Sequence, residues 1–184
     1  RVWIAGAIGP TGKLLEPLGA LLAIDAKEAF REQVRALLDG GIDLLVLETF
    51  SSLKEICLAI EAAREVTDAP IIAQMTFTEA GKTLANDSPE EVVETLAEFG
   101  LAALGVNCSV GPDAILSVIE RMAACGRGVR LSAMPNAGFP ASVNGRLVYL
   151  SGPSYMAQRA KHLLDAGASV VGGCCGTTPE HIAA

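Results

Sequence analysis

Three of the five cysteines in this sequence stand where short apolar runs end: Cys108 after Ala102–Asn107, and the adjacent pair Cys174-Cys175 after Ala168–Gly173. Three thiolates with one position left open suit a catalytic zinc site, because structural zinc sites close with four protein ligands. No Cys-x-x-Cys pair occurs, so zinc-finger spacing is absent. The bland alternative is that strand-end cysteines are small buried hydrophobes. Glycines flank the cysteine pair on both sides, which favours a ligand role: glycine adds little to packing but lets backbones approach closely. Cys57 and Cys125 fall within or at the end of helical patterns and read as packing residues.

Glu48 is the one carboxylate among the strand ends. An acid directly after Leu44-Leu45-Val46-Leu47 is carried to the mouth of the fold, where burial makes an unpaired charge costly. No Lys or Arg stands among the strand ends. Glu48 therefore either meets the ammonium of a ligand or is a solvated loop acid. His162 lies on a charged helical stretch and reads as solvent-facing. His181 follows Thr178-Pro179-Glu180, where Thr178 as helix cap and Pro179 at the first helical position explain the segment without a catalytic histidine.

The elements that must position these groups alternate along the chain. Val2–Ala7, Ile42–Glu48, Pro70–Thr76, Ala102–Cys108, Gly128–Ala133 and Ala168–Gly173 are near-continuous apolar runs, as expected of parallel strands buried on both faces. Between them lie segments of 3.6-residue period. Asp25–Asp39 places Ala26, Phe30, Val34, Leu37 and Leu38 on one face and stops at Gly40-Gly41. Leu53–Val66 repeats the pattern, and Ser88–Phe99 opens with a cap residue, Pro89 and acids. Repeated βα units imply right-handed crossovers and a parallel sheet. Six units at roughly 31 residues each scale to about 245 for eight, near the ~250 of a closed (β/α)8 TIM barrel. The expectation is an N-terminally truncated barrel with about six βα units, residues 1–184 forming a partial barrel domain without its first two units. An open doubly wound sheet is the alternative, but no Gly-x-Gly-x-x-Gly follows the first strand.

Composition narrows the function classes. Fourteen Lys and Arg against 21 Asp and Glu leave a net charge of −7, which argues against nucleic acid or an anionic membrane surface as partner. Apolar residues at 51% with 19% charged exclude disorder. No run reaches the roughly 18 apolar residues of a membrane span. The opening Arg1-Val2-Trp3-Ile4 has no signal-peptide layout. An odd number of cysteines, two of them adjacent, fits a reducing cytoplasmic location better than a disulfide framework.

Two motifs carry a family resemblance. Gly105-Val106-Asn107-Cys108 and Gly172-Gly173-Cys174-Cys175-Gly176-Thr177-Thr178-Pro179-Glu180-His181-Ile182 resemble the homocysteine S-methyltransferase family. Gly9-Pro10-Thr11-Gly12 and Pro135-Asn136-Ala137-Gly138-Phe139-Pro140 look more like the homocysteine-binding module of cobalamin-dependent methionine synthases than like the betaine-dependent branch. Bifunctional enzymes carrying a methylenetetrahydrofolate reductase domain are close competitors. The resemblance implies a barrel that binds zinc through Cys108, Cys174 and Cys175, with Glu48 on the homocysteine amino group and Asn107 beside the substrate. It implies zinc-dependent methyl transfer to the homocysteine thiolate, giving methionine, from methylcobalamin or methyltetrahydrofolate supplied by cobalamin- and folate-binding or reductase domains of a parent chain. It also implies a second acid on an earlier strand, a motif missing from this sequence. The rival readings are a non-catalytic zinc or redox module and a phosphate-binding barrel using the Gly172–Gly176 loop.

Overall fold

The computed structural model describes residues 2–184, apart from the Leu147 side chain; Arg1 lies outside the described residues. Six parallel strands form one sheet in sequential order: β1 (Ala5–Ile8), β2 (Leu44–Phe50), β3 (Ile71–Met75), β4 (Ala103–Asn107), β5 (Leu131–Met134) and β8 (Ala168–Val171). An order that never turns back marks an arc of a (β/α) barrel, since a doubly wound sheet reverses at a switch point. The helices are α1 (Ala23–Asp39), α2 (Leu53–Arg64), α3 (Pro89–Leu96), α4 (Pro112–Ala124), α5 (Pro153–Asp165) and α6 (Pro179–Ala183). Successive helices pack side by side, α1 on α2, α3 on α4 and α4 on α5, as an outer layer. Among the described residues, no helix is long and apolar enough to cross a membrane.

Side-chain alternation divides the sheet into two faces. Leu45, Leu47, Ala73, Leu104, Val106 and Ala133 point outward and join Phe30, Val34, Ile56, Ile60 and Ile115 in the core. The opposite, concave face is less covered: Ala5 and Ala7 are exposed, and Leu44 and Val46 are half-buried. The helices start where their sequences supply a cap. Ser88 and Glu91 form a reciprocal capping box ahead of Pro89. α1 begins two residues earlier than its periodicity suggests, at Ala23, with Leu22 in the cap position and no side-chain cap.

The expected first strand, Val2–Ala7, is paired only from Ala5. Val2, Trp3 and Ile4 are strongly exposed, because β1 is an edge strand and its beginning has little to pack on. The fifth strand starts at Leu131 rather than Gly128, whose φ of +68° turns the chain. An antiparallel hairpin, β6 (Pro140–Val143) and β7 (Arg146–Tyr149), is inserted between β5 and α5. Its turn, Asn144-Gly145, has positive φ at both positions, as the tight I′ hairpin turn requires.

A polar seam crosses the concave face beneath the strand ends. Gln74 of β3 donates to the Ser132 hydroxyl of β5 at 3.1 Å, and both residues are fully enclosed. The two side chains meet across β4 because the residue between them in register is Gly105. A Cβ at that point would overlap the Ser132 carbonyl and hydroxyl. Gly105→Ala should therefore cost about 3 kcal/mol by overpacking and by separating the pair. Urea unfolding checks this, with Gly9→Ala, whose Cβ meets nothing nearer than 3.9 Å, as control. Equal midpoints for the two variants would refute the account.

Candidate metal centre and substrate site

The strand ends gather three sulfurs at one end of the arc. The ligand atoms of Cys108, Cys174 and Cys175 all lie within 4.8 Å of one another, and the Cys108 and Cys175 sulfurs are 3.7 Å apart. A tetrahedral ion with Zn–S bonds of about 2.3 Å separates its sulfurs by roughly 3.8 Å. The donor set, its spacing and its incomplete coordination thus fit one zinc ion with an open position. Cys174 and Cys108 are half-buried, and Cys175 is exposed. Burial first, then the neighbouring Cys108 and Cys175, pushes the Cys174 thiol up to about 12. A divalent cation reverses that balance, because a coordinating thiol loses its proton outright.

The backbone brings the sulfurs together under visible constraint. β4 leads directly into Cys108 and Ser109, both at φ of +59°, a left-handed conformation that side-chain-bearing residues seldom adopt. Three bonds hold it: Cys108 N–H to Met134 O at 3.1 Å, Val110 N–H to Cys108 O at 2.7 Å, and the Ser109 hydroxyl to the Thr76 hydroxyl at 2.5 Å. On the other side, the Cys174 N–H donates to Pro135 O, the Ala137 N–H to Cys175 O, and the Cys175 N–H to Asn136 Oδ1. The flanking glycines are required by close approach. A Cβ on Gly173 would strike Thr177, and one on Gly176 would strike the Tyr149 ring.

Glu48 follows Val46 on the concave side, half-buried, with no ion pair among the described residues. Immediately after it β2 bulges: Leu47 pairs with Ala73, but Phe50 pairs with Met75. Asn107 is 1% exposed, and its amide is committed to protein partners. Its Oδ1 accepts from Thr49 N–H at 2.7 Å; its Nδ2 donates to Thr49 Oγ1 at 2.8 Å and lies 3.9 Å from the Cys174 sulfur. The Gly9–Gly12 loop is pinned by buried Glu55, which accepts from both the N–H and the hydroxyl of Thr11 at 2.8 and 2.7 Å.

The other candidates sit apart from the sulfur cluster. Cys57 packs on the core from α2, and burial pushes its thiol up to about 11; Cys125 caps α4 and donates to Arg121 O. His162 is half-buried rather than solvent-facing, with Nδ1 3.3 Å from Arg159, since α5 packs its flank against α4. His181 accepts the Thr178 N–H at Nδ1 and reaches Ser151 O from Nε2 at 2.8 Å, the pattern of a neutral ring protonated at Nε2. Of the N–H groups in the Gly172–Gly176 loop that a phosphate cradle would use, those of Gly172, Cys174 and Cys175 are already bonded within the protein.

Sequence reasoning missed Thr49, Asn136 and Tyr149. Tyr149 packs over Gly176; burial and a hydrogen bond to Cys175 raise its hydroxyl above the ordinary range. The Asn144-Gly145 dipeptide was the available signal for the hairpin that carries it.

The fold is a partial (β/α) barrel, and three thiols that could hold a metal ion converge at the carboxyl ends of its strands, where barrels of this kind carry their active sites. The match to known proteins is more specific: a model of the homocysteine S-methyltransferase family covers residues 1–184, and the chain belongs to that family. Crystal structures of the homocysteine methyltransferase MmuM from Escherichia coli are similar. The apo form aligns with a TM-score of 0.79 at 27% identity over 99% of this chain and 60% of that one. The metallated form gives 0.75 at 26% identity over 99% and 59%. The chain thus spans about 60% of the length of the MmuM apo chain.

Metal binding by the thiols is directly testable. Cys108→Ala, Cys174→Ala and Cys175→Ala should each lower the zinc content and weaken retention against a chelator by at least about tenfold, whereas Cys57→Ala and Cys125→Ala should hold the metal like the parent. Full zinc in Cys175→Ala by metal analysis would remove that residue from the centre.

Proposed function

We propose that this chain forms the zinc-holding and homocysteine-binding part of an enzyme that transfers a methyl group to the homocysteine thiolate, giving methionine. The observation that carries the reading is the convergence of three thiols within 4.8 Å at the mouth of the arc. Cys108, Cys174 and Cys175 would hold the ion. When bound, zinc supplies the charge that keeps a substrate thiol deprotonated at neutral pH. Three protein thiolates more than balance a divalent charge, so a sulfur held beside them keeps its electron density and remains a nucleophile. It forms a bond to the methyl carbon as the donor–methyl bond breaks, the electron pair leaving with the donor. A donor such as methylcobalamin or methyltetrahydrofolate, carried by another domain, belongs to the same proposal.

Glu48 supplies the other half of substrate recognition. It stands on the concave face, with no ion pair among the described residues, and a substrate ammonium would complete it. The buried Asn107 amide has all its hydrogen-bonding atoms engaged, so its part is to position and not to touch the substrate.

In the full-length parent loaded with zinc, Glu48→Gln should weaken homocysteine binding by about 1.5–3 kcal/mol, ten- to a hundredfold, with zinc content unchanged. Calorimetry giving the parental affinity would reject the role of Glu48. A parent that holds zinc but binds no homocysteine would instead indicate a metal module.

A further inference from the structure

We infer that Asn107 is a positioning residue that couples the ammonium end of the substrate site to its sulfur end, through the bulge at Thr49. The inference rests on the reading of Glu48 and the three cysteines given above. Two residues of β2, Glu48 and Thr49, occupy the space that one residue, Gln74, fills on β3. Thr49 absorbs the extra length at φ of +64°, where a β-branched residue is a marked outlier. Bulges of this kind re-aim the neighbouring side chain, and here that neighbour is Glu48.

The conformation is held from across the sheet. Asn107 belongs to β4, with β3 lying between it and β2. Its amide nevertheless reaches the bulge with two short bonds, one to the Thr49 N–H that the irregular pairing leaves without a strand partner, one to the Thr49 hydroxyl. The second Nδ2 hydrogen is directed to the Cys174 sulfur, 3.9 Å away, and the backbone of Asn107 leads straight into Cys108. One enclosed amide therefore touches the strand end that aims the acid and the loop tip that offers a sulfur, and is covalently joined to a second sulfur. The task needs one acceptor and two donors on a short stem, which among side chains of this size is asparagine. Fixing Glu48 against the sulfurs fixes the span between the ammonium and the thiol of an amino-thiol ligand, so Asn107 sets how well the site reads homocysteine as a whole.

The test compares homocysteine with 4-mercaptobutyrate, which keeps the thiol and carboxylate and lacks the amine. Binding to the zinc-loaded full-length parent and to Asn107→Asp, Thr49→Val and Thr49→Ser is measured by calorimetry, and the same proteins are loaded with cobalt(II) for spectroscopy. The parent should prefer homocysteine; Asn107→Asp and Thr49→Val should lose about tenfold of that preference, while Thr49→Ser, which keeps both bonds, retains it. 4-Mercaptobutyrate should bind Thr49→Val like the parent. The sulfur-to-cobalt charge-transfer band should move to longer wavelength in Asn107→Asp, which removes an N–H from a thiolate, and stay in place in Thr49→Val. A parent without preference for homocysteine overturns the reading of Glu48 and this inference with it. A parent that has the preference, with Asn107→Asp and Thr49→Val keeping it in full, overturns the role of Asn107 alone. If Asn107→Asp does not fold, the Thr49→Val and Thr49→Ser pair decides by the same criterion.

Discussion

The sulfur cluster depends on the short segment that leaves β5. Cys108 and the Cys174-Cys175 pair come from strands that are not neighbours; β5 lies between β4 and β8. Met134 and Pro135 accept N–H groups from opposite sides, Cys108 on one and Cys174 on the other. Ala137 and Asn136 then pin Cys175 with one bond in each direction. The segment acts as a template on which both cysteine loops are hung by backbone, so the sulfurs meet without relying on their own attraction. Thiols attract one another only through weak S–H contacts, and as thiolates they would repel one another. Their proximity is imposed by the ladder below them and is ready for a cation before one arrives.

The constraint is expressed in backbone conformations that the sequence would not choose freely. Thr49, Cys108 and Ser109 all adopt positive φ, and all stand at strand ends on the site side. Such residues persist only where surrounding bonds over-determine them, and they gather at functional sites. Here each has identifiable restraints: Asn107 for Thr49, Met134 for Cys108, Thr76 for Ser109. Elsewhere the arc has one register shift, between Leu131 and Ser132 where β5 meets β8. The other positive-φ residues that carry side chains, Asn86 and Asn144, are asparagines, which tolerate that region, so strain of order one to a few kcal/mol falls mainly on Thr49, Cys108 and Ser109.

The same contrast explains what the sequence made legible. The inner strands could be read because their residues pack outward against helices while a strand neighbour lies on either side, and apolar runs record that burial. Cys108, Cys174, Cys175 and Glu48 stood out because they interrupt those runs at their carboxyl ends. Asn107 was visible as a strand-end polar residue, but its partner was not: Thr49 lies 58 positions away and has a side chain that argues against the conformation it adopts. The hairpin escaped for another reason. Its strands are largely exposed, so Pro140–Tyr149 carries little apolar patterning, and only Asn144-Gly145 marks the turn. The N-terminal residues misled in the opposite sense, since Val2-Trp3-Ile4 is apolar enough for a buried strand and stands exposed on an edge.

The electrostatics of the mouth then narrow what it can receive. Below the strand ends the concave face is closed by a neutral pair, Gln74 with Ser132, which brings no charge to the site. At the strand ends stand three thiols and Glu48, and among the described residues no Lys or Arg pairs with that acid. In the proposed reading the charge balance of these groups comes from a bound metal ion and a bound ligand. A divalent ion would answer the three sulfurs, and Glu48, which stands on a different strand end and is not among the clustered ligand atoms, would keep its own need for a cation. In the proposed reading these are two cationic needs on different strand ends, one soft at the sulfurs and one hard at the carboxylate, which a ligand with a thiol at one end and an ammonium at the other would meet together. On that reading a simple thiol would leave the acid unpaired, and a simple amine would leave a metal's open position to water.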